Sequence, residues 1–147
     1  MKITICGSIA FQDEMNKLKE ELEKQGHEVK IPPNTMKDEQ GNPLSVQDYY
    51  TIRKSADASE EWVWDKKEEA MMRHFEKVDW CDAILVLNKE KNGILGYVGA
   101  NTLMEMGLAL YLDKPIYLLH PVPTMSYTEE ILGMKPIVLD GDIRKLA

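Results

Sequence analysis

An unbroken apolar run, Ala83 to Leu87, constrains the fold of this chain more than any other feature. Five aliphatic residues in a row leave no polar side for solvent, so a strand formed here is covered on both faces. Such burial is typical of central strands in parallel sheets, where helices pack on each side. The run lies within a predicted strand, Asp82 to Asn88, and predicts an α/β protein.

The rest of the chain alternates between strand and helix patterns. The predicted strands are Lys2–Cys6, His27–Ile31, Asp82–Asn88, Ile116–Leu119 and Pro136–Leu139. The predicted helices are Asp13–Gln25, Glu60–Val78, a helix that starts near Gly99 and continues to about Leu112, and Tyr127–Leu132. This alternation predicts a three-layer, doubly wound, five-stranded parallel sheet with the flavodoxin-like strand order 2-1-3-4-5.

A single domain spanning residues 1–147 accounts for this pattern, with one interruption. From residue 32 to about 59 the periodicity weakens, and turn signals such as Gly41-Asn42-Pro43 replace it. A short helix from Ser45 to Lys54 is predicted within this segment. A segment of this length between regular elements is typical of a binding loop, so we expect a lid-like insertion.

The predicted topology places one ligand crevice. In doubly wound sheets, ligands bind beyond the carboxyl ends of the strands at the point where the strand order reverses, here between the first and third strands. Gly7-Ser8 follows the first strand and Asn88 ends the third. The helix start from Gly99 to Glu105 comes next, and we expect these segments to surround the crevice.

Several motifs on these elements resemble the nucleoside 2-deoxyribosyltransferase-like superfamily, and within it the short 2′-deoxynucleoside 5′-phosphate N-hydrolases. They are Gly7-Ser8-Ile9, the strand from Asp82 to Leu87, Gly99, Met104-Glu105-Met106-Gly107-Leu108-Ala109, and Lys114-Pro115-Ile116. The resemblance covers most of the chain outside residues 32–59. It implies a small nucleoside or nucleotide substrate and a homodimer or higher oligomer, with the helix Glu60–Val78 as candidate interface.

The resemblance also implies a glutamate nucleophile, Glu105, which would attack the anomeric carbon as the base departs. Hydrolysis or transfer at the N-glycosidic bond of a (deoxy)nucleoside or its 5′-monophosphate would follow. His74 stands where the family has a catalytic aspartate, and Gly99 where it has an aspartate or serine. A histidine can supply a proton to a leaving base, so His74 is the second candidate catalytic residue.

The candidate substrate-binding residues lie on the three converging segments. They are Gly7, Ser8, Ile9, Asn88, Tyr97, Gly99 and Asn101. Backbone N–H groups near the glycines and the Ser8 hydroxyl are suited to hold sugar or phosphate oxygens. We also expect the helix N-terminus to keep Glu105 ionised, as a nucleophile requires.

Three alternatives stay open at this point. Thr102-Leu103-Met104-Glu105 matches a capping box, in which Glu105 would bond to the start of its own helix. The protein would be a non-catalytic nucleotide sensor if it kept the crevice and lost the chemistry. The pattern Gly99-x-x-Thr102-x-x-Glu105 also resembles part of the phosphoribohydrolase loop, without its second glycine.

Charge and composition limit the partners. The net charge of −7 disfavours binding to a nucleic-acid polymer, which needs a basic face. No apolar run reaches the roughly 20 residues of a membrane span, and the apolar start is too short for a signal peptide, so we expect a cytoplasmic protein. Cys6 and Cys81 are expected to be buried free thiols. The histidines are far apart in sequence, so no metal site and no cofactor are predicted.

Overall fold

The computed structural model describes residues 1–146, and its centre is a five-stranded parallel sheet. The strands are β1 (Lys2–Gly7), β2 (Glu28–Lys30), β5 (Ala83–Leu87), β6 (Ile116–Leu118) and β7 (Ile137–Val138). Two further strands, β3 (Thr35–Lys37) and β4 (Pro43–Ser45), pair separately as an antiparallel hairpin. The main sheet has the order β2-β1-β5-β6-β7, which confirms the predicted order once the hairpin is set aside.

Five α-helices complete the fold. They are α1 (Gln12–Lys24), α2 (Val46–Ser55), α3 (Glu61–Trp80), α4 (Ala100–Tyr111) and α5 (Thr128–Gly133), with short 3₁₀ turns at Ile9–Phe11 and Ile143–Lys145. Within residues 1–146, none of these helices combines the length and the hydropathy needed to cross a bilayer.

The sheet separates two hydrophobic cores, because successive strand residues point to opposite faces. Ile3 and Ile5 of β1 pack with α1 on one side. Cys6 of the same strand belongs to the other core, with Val78 of α3 and Met106 of α4. The alternation therefore directs the Cys6 thiol toward the layer formed by α3 and α4. Both cysteines are buried and free, as predicted.

The segment from 32 to 59 is more regular than its sequence indicates. The β3–β4 hairpin, which was not predicted, precedes α2, which starts one residue after the predicted short helix. The Ser45 hydroxyl caps α2 by accepting a hydrogen bond from the Asp48 N–H at 3.0 Å. The buried Tyr49 hydroxyl donates to the Val63 carbonyl at 2.5 Å and so ties α2 to α3.

Candidate functional site

A cavity of about 1000 Å³ lies between α2, α3 and the start of α4, beside the carboxyl end of β1. Eight of the nine predicted site residues line it: Gly7, Ser8, Ile9, His74, Tyr97, Gly99, Asn101 and Glu105. The crevice predicted from topology is therefore a real cavity at the predicted place, and the converging segments meet there.

The predicted site residue outside the cavity is Asn88. It is fully buried, and its amide nitrogen donates to the His120 carbonyl at 2.8 Å and the Pro121 carbonyl at 3.2 Å. Its amide oxygen accepts from the His120 N–H at 2.8 Å. All of these bonds join β5 to the loop after β6. The prediction that Asn88 faces the crevice is wrong, since its side chain holds two loops together.

Glu105 does not cap its own helix. Helix α4 starts at Ala100 with Gly99 as the N-cap residue, and the Leu103 N–H donates to the Gly99 carbonyl at 2.9 Å. Thr102 is already inside the helix and buried. The capping-box interpretation is therefore wrong, because the helix begins three residues earlier than that motif requires. The Glu105 carboxyl is free for other contacts.

Burial sets the ionisation of Glu105. The residue is 7% exposed, and this burial raises its pKa to about 8, although Lys67, the Cys6 thiol and Lys77 act in the opposite direction. Removal of a carboxylate from water outweighs the attraction of these neighbours. The expectation that the helix N-terminus keeps Glu105 ionised is therefore wrong: with the cavity empty, the carboxyl is mostly protonated at neutral pH.

His74 faces Glu105 from α3. Its Nε2 atom lies 3.5 Å from the Glu105 Oε2 atom, so the two candidate catalytic residues share one end of the cavity. The imidazole is 6% exposed, and burial, with Lys77 as a second cause, lowers its pKa to about 4. Within residues 1–146 neither ring nitrogen has a hydrogen-bond partner. A neutral imidazole therefore lies beside a protonated carboxyl.

A third buried group, the Cys6 thiol, lies next to His74 and Glu105, although Cys6 is not among the residues that line the cavity. The nearest donor atoms of Cys6, His74 and Glu105 all lie within 4.8 Å of one another, and all three residues are buried. Burial, together with the Glu105 charge, raises the pKa of Cys6 well above its ordinary value. Sequence reasoning missed this cluster, although the alternation along β1 places Cys6 on the α3–α4 face.

The mouth of the cavity is aromatic and cationic. The Lys91 Nζ atom donates to the Ser8 hydroxyl at 2.8 Å and lies 5.2 Å from the Tyr97 ring centre. The Arg53 guanidinium lies 5.1 Å from the Tyr50 ring centre. Contacts at these distances are cation–π interactions, which hold the cations in place without neutralising them.

Basic side chains predominate among the charged residues of the lining. Seven are present: Lys37, Arg53, Lys54, Lys66, Lys67, Arg73 and Lys91. Among the described residues the lining has two carboxyl side chains, Glu69 and Glu105. In a chain with 25 acidic and 18 basic residues, this local reversal of charge favours an anionic ligand.

The other predicted binding residues differ in what they offer a ligand. At Gly7 an added Cβ would lie 3.1 Å from the Leu87 carbonyl oxygen, so close strand packing favours glycine there. Gly99 has a φ of −83°, which any residue adopts, and its added Cβ would make ordinary contacts with Tyr97. Asn101 is exposed in the first turn of α4, and Ile9 is half-buried.

Comparison with known proteins gives structural matches only. No protein-family model matches the sequence, and no curated protein matches it either. The CMP N-glycosidase BcmB of Clostridium botulinum is similar in structure, with a TM-score of 0.50 and 15% identity over 95% of this chain and 90% of that one. A 2-deoxyribosyltransferase of Bacillus psychrosaccharolyticus matches with a TM-score of 0.49 and 18% identity, over 81% of this chain and 72% of that one.

At these identities the comparison bears on the fold. The sheet order, the helices on both faces and the near-complete coverage all agree with the resemblance seen in the sequence. The chain therefore shares its α/β fold with this CMP N-glycosidase.

Proposed function

We propose that the protein cleaves the N-glycosidic bond of a nucleoside 5′-monophosphate, with Glu105 as the nucleophile, and passes the sugar to water or to a second base. One observation carries the proposal: a single buried carboxyl, Glu105, lies at the floor of a cavity whose other charged residues, apart from the half-buried Glu69, are basic. The structural likeness to a CMP N-glycosidase supports the same class of reaction.

The chemistry begins with attack at the sugar. The Glu105 carboxylate would form a bond to the anomeric carbon as the bond from that carbon to the base nitrogen breaks. Such a carboxylate stabilises an oxocarbenium-like transition state and yields a glycosyl ester. Water or a second base then displaces Glu105 and restores the free enzyme.

His74 is the proposed proton carrier. Its Nε2 atom is 3.5 Å from Glu105. Burial favours the neutral form of both groups, so the carboxyl proton would pass to His74 only as positive charge develops on the sugar and stabilises the Glu105 carboxylate. The resulting imidazolium would then protonate the departing base. This arrangement gives His74 the role that an aspartate has in the resembled family, with a proton supplied by the nucleophile itself.

The basic lining favours a phosphorylated substrate over a free nucleoside. Lys91 and Ser8 are already joined at the mouth, and Arg53 lies on the neighbouring Tyr50 ring. A phosphate at this place would accept hydrogen bonds from charged donors, which are stronger than bonds between neutral groups. The tyrosine rings offer a face on which a base can stack.

The test is base release from a panel of ribo- and deoxyribonucleosides and their 5′-monophosphates, followed by chromatography. We expect a monophosphate to react and Glu105→Gln to lose about a thousandfold or more in rate. The matched control is Glu68→Gln, at an exposed position of α3 outside the cavity lining, which should keep full activity. No base release from any substrate by the wild type would refute the proposal.

A non-catalytic nucleotide-binding protein is the second candidate. The specific observation in its favour is the partner of Glu105: the group opposite it is the His74 imidazole instead of a second carboxyl. Equilibrium binding of the same monophosphates separates the two functions. Micromolar binding without base release, in both wild type and Glu105→Gln, favours the sensor.

A homodimer also remains a proposal, and exposed apolar side chains near the cavity support it. Met72 of α3 is 53% exposed and Met104 of α4 is 41% exposed. Light scattering on the purified chain should give twice the mass of one chain. Met72→Glu should lower the measured mass to that of a single chain. A monomeric wild type at micromolar concentration would contradict the proposal.

A further inference from the structure

We propose that Cys6, His74 and Glu105 form a binding site for a zinc-like divalent metal ion at the floor of the cavity. A thiolate, an imidazole and a carboxylate are the three side-chain ligand types that zinc takes in proteins. Here they come from β1, α3 and α4, three elements fixed by packing on one side of the sheet. The proposal requires no large rearrangement of the backbone.

The spacing of the donor atoms fits such an ion. With metal–ligand bonds of about 2.0 to 2.3 Å, neighbouring ligands of a tetrahedral zinc lie roughly 3.3 to 3.6 Å apart. The His74 Nε2 atom and the Glu105 Oε2 atom are separated by 3.5 Å. All three donor atoms lie within 4.8 Å of one another, so small rotations of the side chains complete the set.

The unpartnered imidazole is an independent sign of a missing ligand. His74 is 6% exposed, and within residues 1–146 neither ring nitrogen has a partner at full hydrogen-bond geometry, although the Ile5 backbone is close enough to raise the pKa of the imidazole. Buried polar atoms without partners are rare because each costs about 1–3 kcal/mol. A metal ion on one of these nitrogens would satisfy it.

Charge and access also suit a metal. Lys67 and Lys77 lie near enough to Glu105 to affect its pKa, so a bare cation would be repelled there. Two anionic ligands, the Cys6 thiolate and the Glu105 carboxylate, would cancel the charge of a divalent ion. His74 and Glu105 line the cavity, so an ion that enters it can reach these two ligands.

This site has a consequence for the reaction, and that consequence rests on the proposed function. A Glu105 carboxylate bound to a metal cannot attack a sugar carbon. One equivalent of zinc should therefore stop base release, and a chelator should restore it. Metal binding itself does not depend on any catalytic activity and is tested separately.

The test is a titration of the metal-free full chain with Co²⁺, followed by absorption. We expect one equivalent to bind and to give a thiolate-to-cobalt band in the near ultraviolet. Cys6→Ser should abolish this band and weaken binding at least tenfold. The matched control is Cys81→Ser, which removes the other buried free cysteine and should leave both the band and the affinity unchanged.

A second variant guards against misfolding of Cys6→Ser. Glu105→Gln keeps the thiol and the shape of the side chain, and should also bind Co²⁺ at least tenfold more weakly. Absence of the band in the wild type, or its loss in Cys81→Ser but not in Cys6→Ser, would overturn the site.

Parallel assays keep the two proposals apart. A Co²⁺ band without base release under any condition supports the metal site and refutes the proposed function. Base release by a wild type that gives no Co²⁺ band supports the proposed function and refutes the metal site. If the Co²⁺ band appears and zinc leaves the rate of base release unchanged, the metal does not inhibit the reaction by binding Glu105.

Discussion

Buried polar side chains lie at two places close to the carboxyl ends of the central strands. Asn88 is at one place and the pair His74 and Glu105 at the other, and the two places differ in how many of their polar atoms are hydrogen-bonded. Asn88 is fully buried, and both atoms of its amide are hydrogen-bonded to the backbone. His74 and Glu105 are nearly as buried, yet neither imidazole nitrogen has a partner among the described residues. The hydrogen bonds of Asn88 are therefore all formed within the protein, whereas those of the His74 imidazole are not.

The difference separates structure from chemistry. A satisfied buried amide stabilises the fold and has no remaining capacity for a ligand. An unsatisfied buried imidazole costs stability, and proteins tolerate such a cost mainly where a ligand or a reaction needs it. Asn88 therefore belongs to the scaffold of the site, while Glu105 and His74 are the groups to which we assign the proposed chemistry.

The largest expected effect is on the pH dependence of stability, measured in metal-free buffer. Burial raises the pKa of Glu105 from its ordinary value of 4.5 to about 8 in the folded protein. Its contribution to stability is thus fully present below pH 4.5 and is lost as the pH rises toward 8. The side chain in Glu105→Gln cannot ionise. The free energy of unfolding of this variant, relative to wild type, should therefore rise by on the order of a few kcal/mol over this interval.

Urea unfolding at several pH values checks this. The difference in free energy of unfolding between Glu105→Gln and wild type should grow from pH 5 to pH 8 and then level off, while Glu68→Gln shows no such trend. A constant difference would mean that Glu105 is ionised in the folded protein, and the contrast with Asn88 would lose its electrostatic basis.

The second expected effect is a loss of stability in Asn88→Ala. Removing the amide leaves partly buried backbone groups of His120 and Pro121 without this partner, at a cost of about 2 kcal/mol. Thermal or urea unfolding measures the loss. Nucleotide affinity, measured below the unfolding transition, should change less than twofold. A large loss of affinity at unchanged stability would show that Asn88 belongs to the binding site after all.

The third effect concerns the mouth of the cavity. Lys91→Met should weaken binding of a nucleoside 5′-monophosphate about tenfold, or about 1.4 kcal/mol, and should affect the parent nucleoside much less. Added salt should reduce the difference, because the interaction is electrostatic. Lys24→Met, on the far surface of α1, is the charge-matched control. Equal losses for nucleoside and nucleotide would argue against phosphate binding by Lys91.

The smallest effect is expected at the helix start. Gly99 caps α4 without a side chain, in an extended conformation that serine readily adopts. Gly99→Ser should therefore add a capping hydroxyl and raise the free energy of unfolding by a few tenths of a kcal/mol. Urea unfolding at pH 7 measures it. A loss of stability would mean that the contact with Tyr97 is too tight for a side chain.

Sequence patterns were sufficient for the main sheet and for the place of the site. Each strand of the sheet is a short apolar or alternating run, and alternation with helices leaves few possible strand orders. Glu105 and His74 followed from the same topology and from the family resemblance. The β3–β4 hairpin was missed because three-residue strands, such as Thr35–Lys37 with one half-buried side chain, give no periodic signal.

The remaining errors concern side-chain direction and distance. The end of a strand locates Asn88 but does not say that its amide turns toward the loop after β6. The cluster of Cys6, His74 and Glu105 joins residues from three distant parts of the sequence, so no local spacing reveals it. The pKa of Glu105 depends on burial by the assembled layers, which a helix-end argument does not include.

The bond from Tyr49 to Val63 has a practical consequence for protein engineering. The segment from the hairpin through α2 carries its own pairing, its own helix cap and one anchor to α3, and it supplies several of the basic groups of the mouth. The floor of the cavity comes from β1, α3 and α4. A graft that keeps Tyr49 can therefore exchange the mouth of the cavity and retain its floor, which makes this segment the place to begin when redesigning which ligands the cavity accepts.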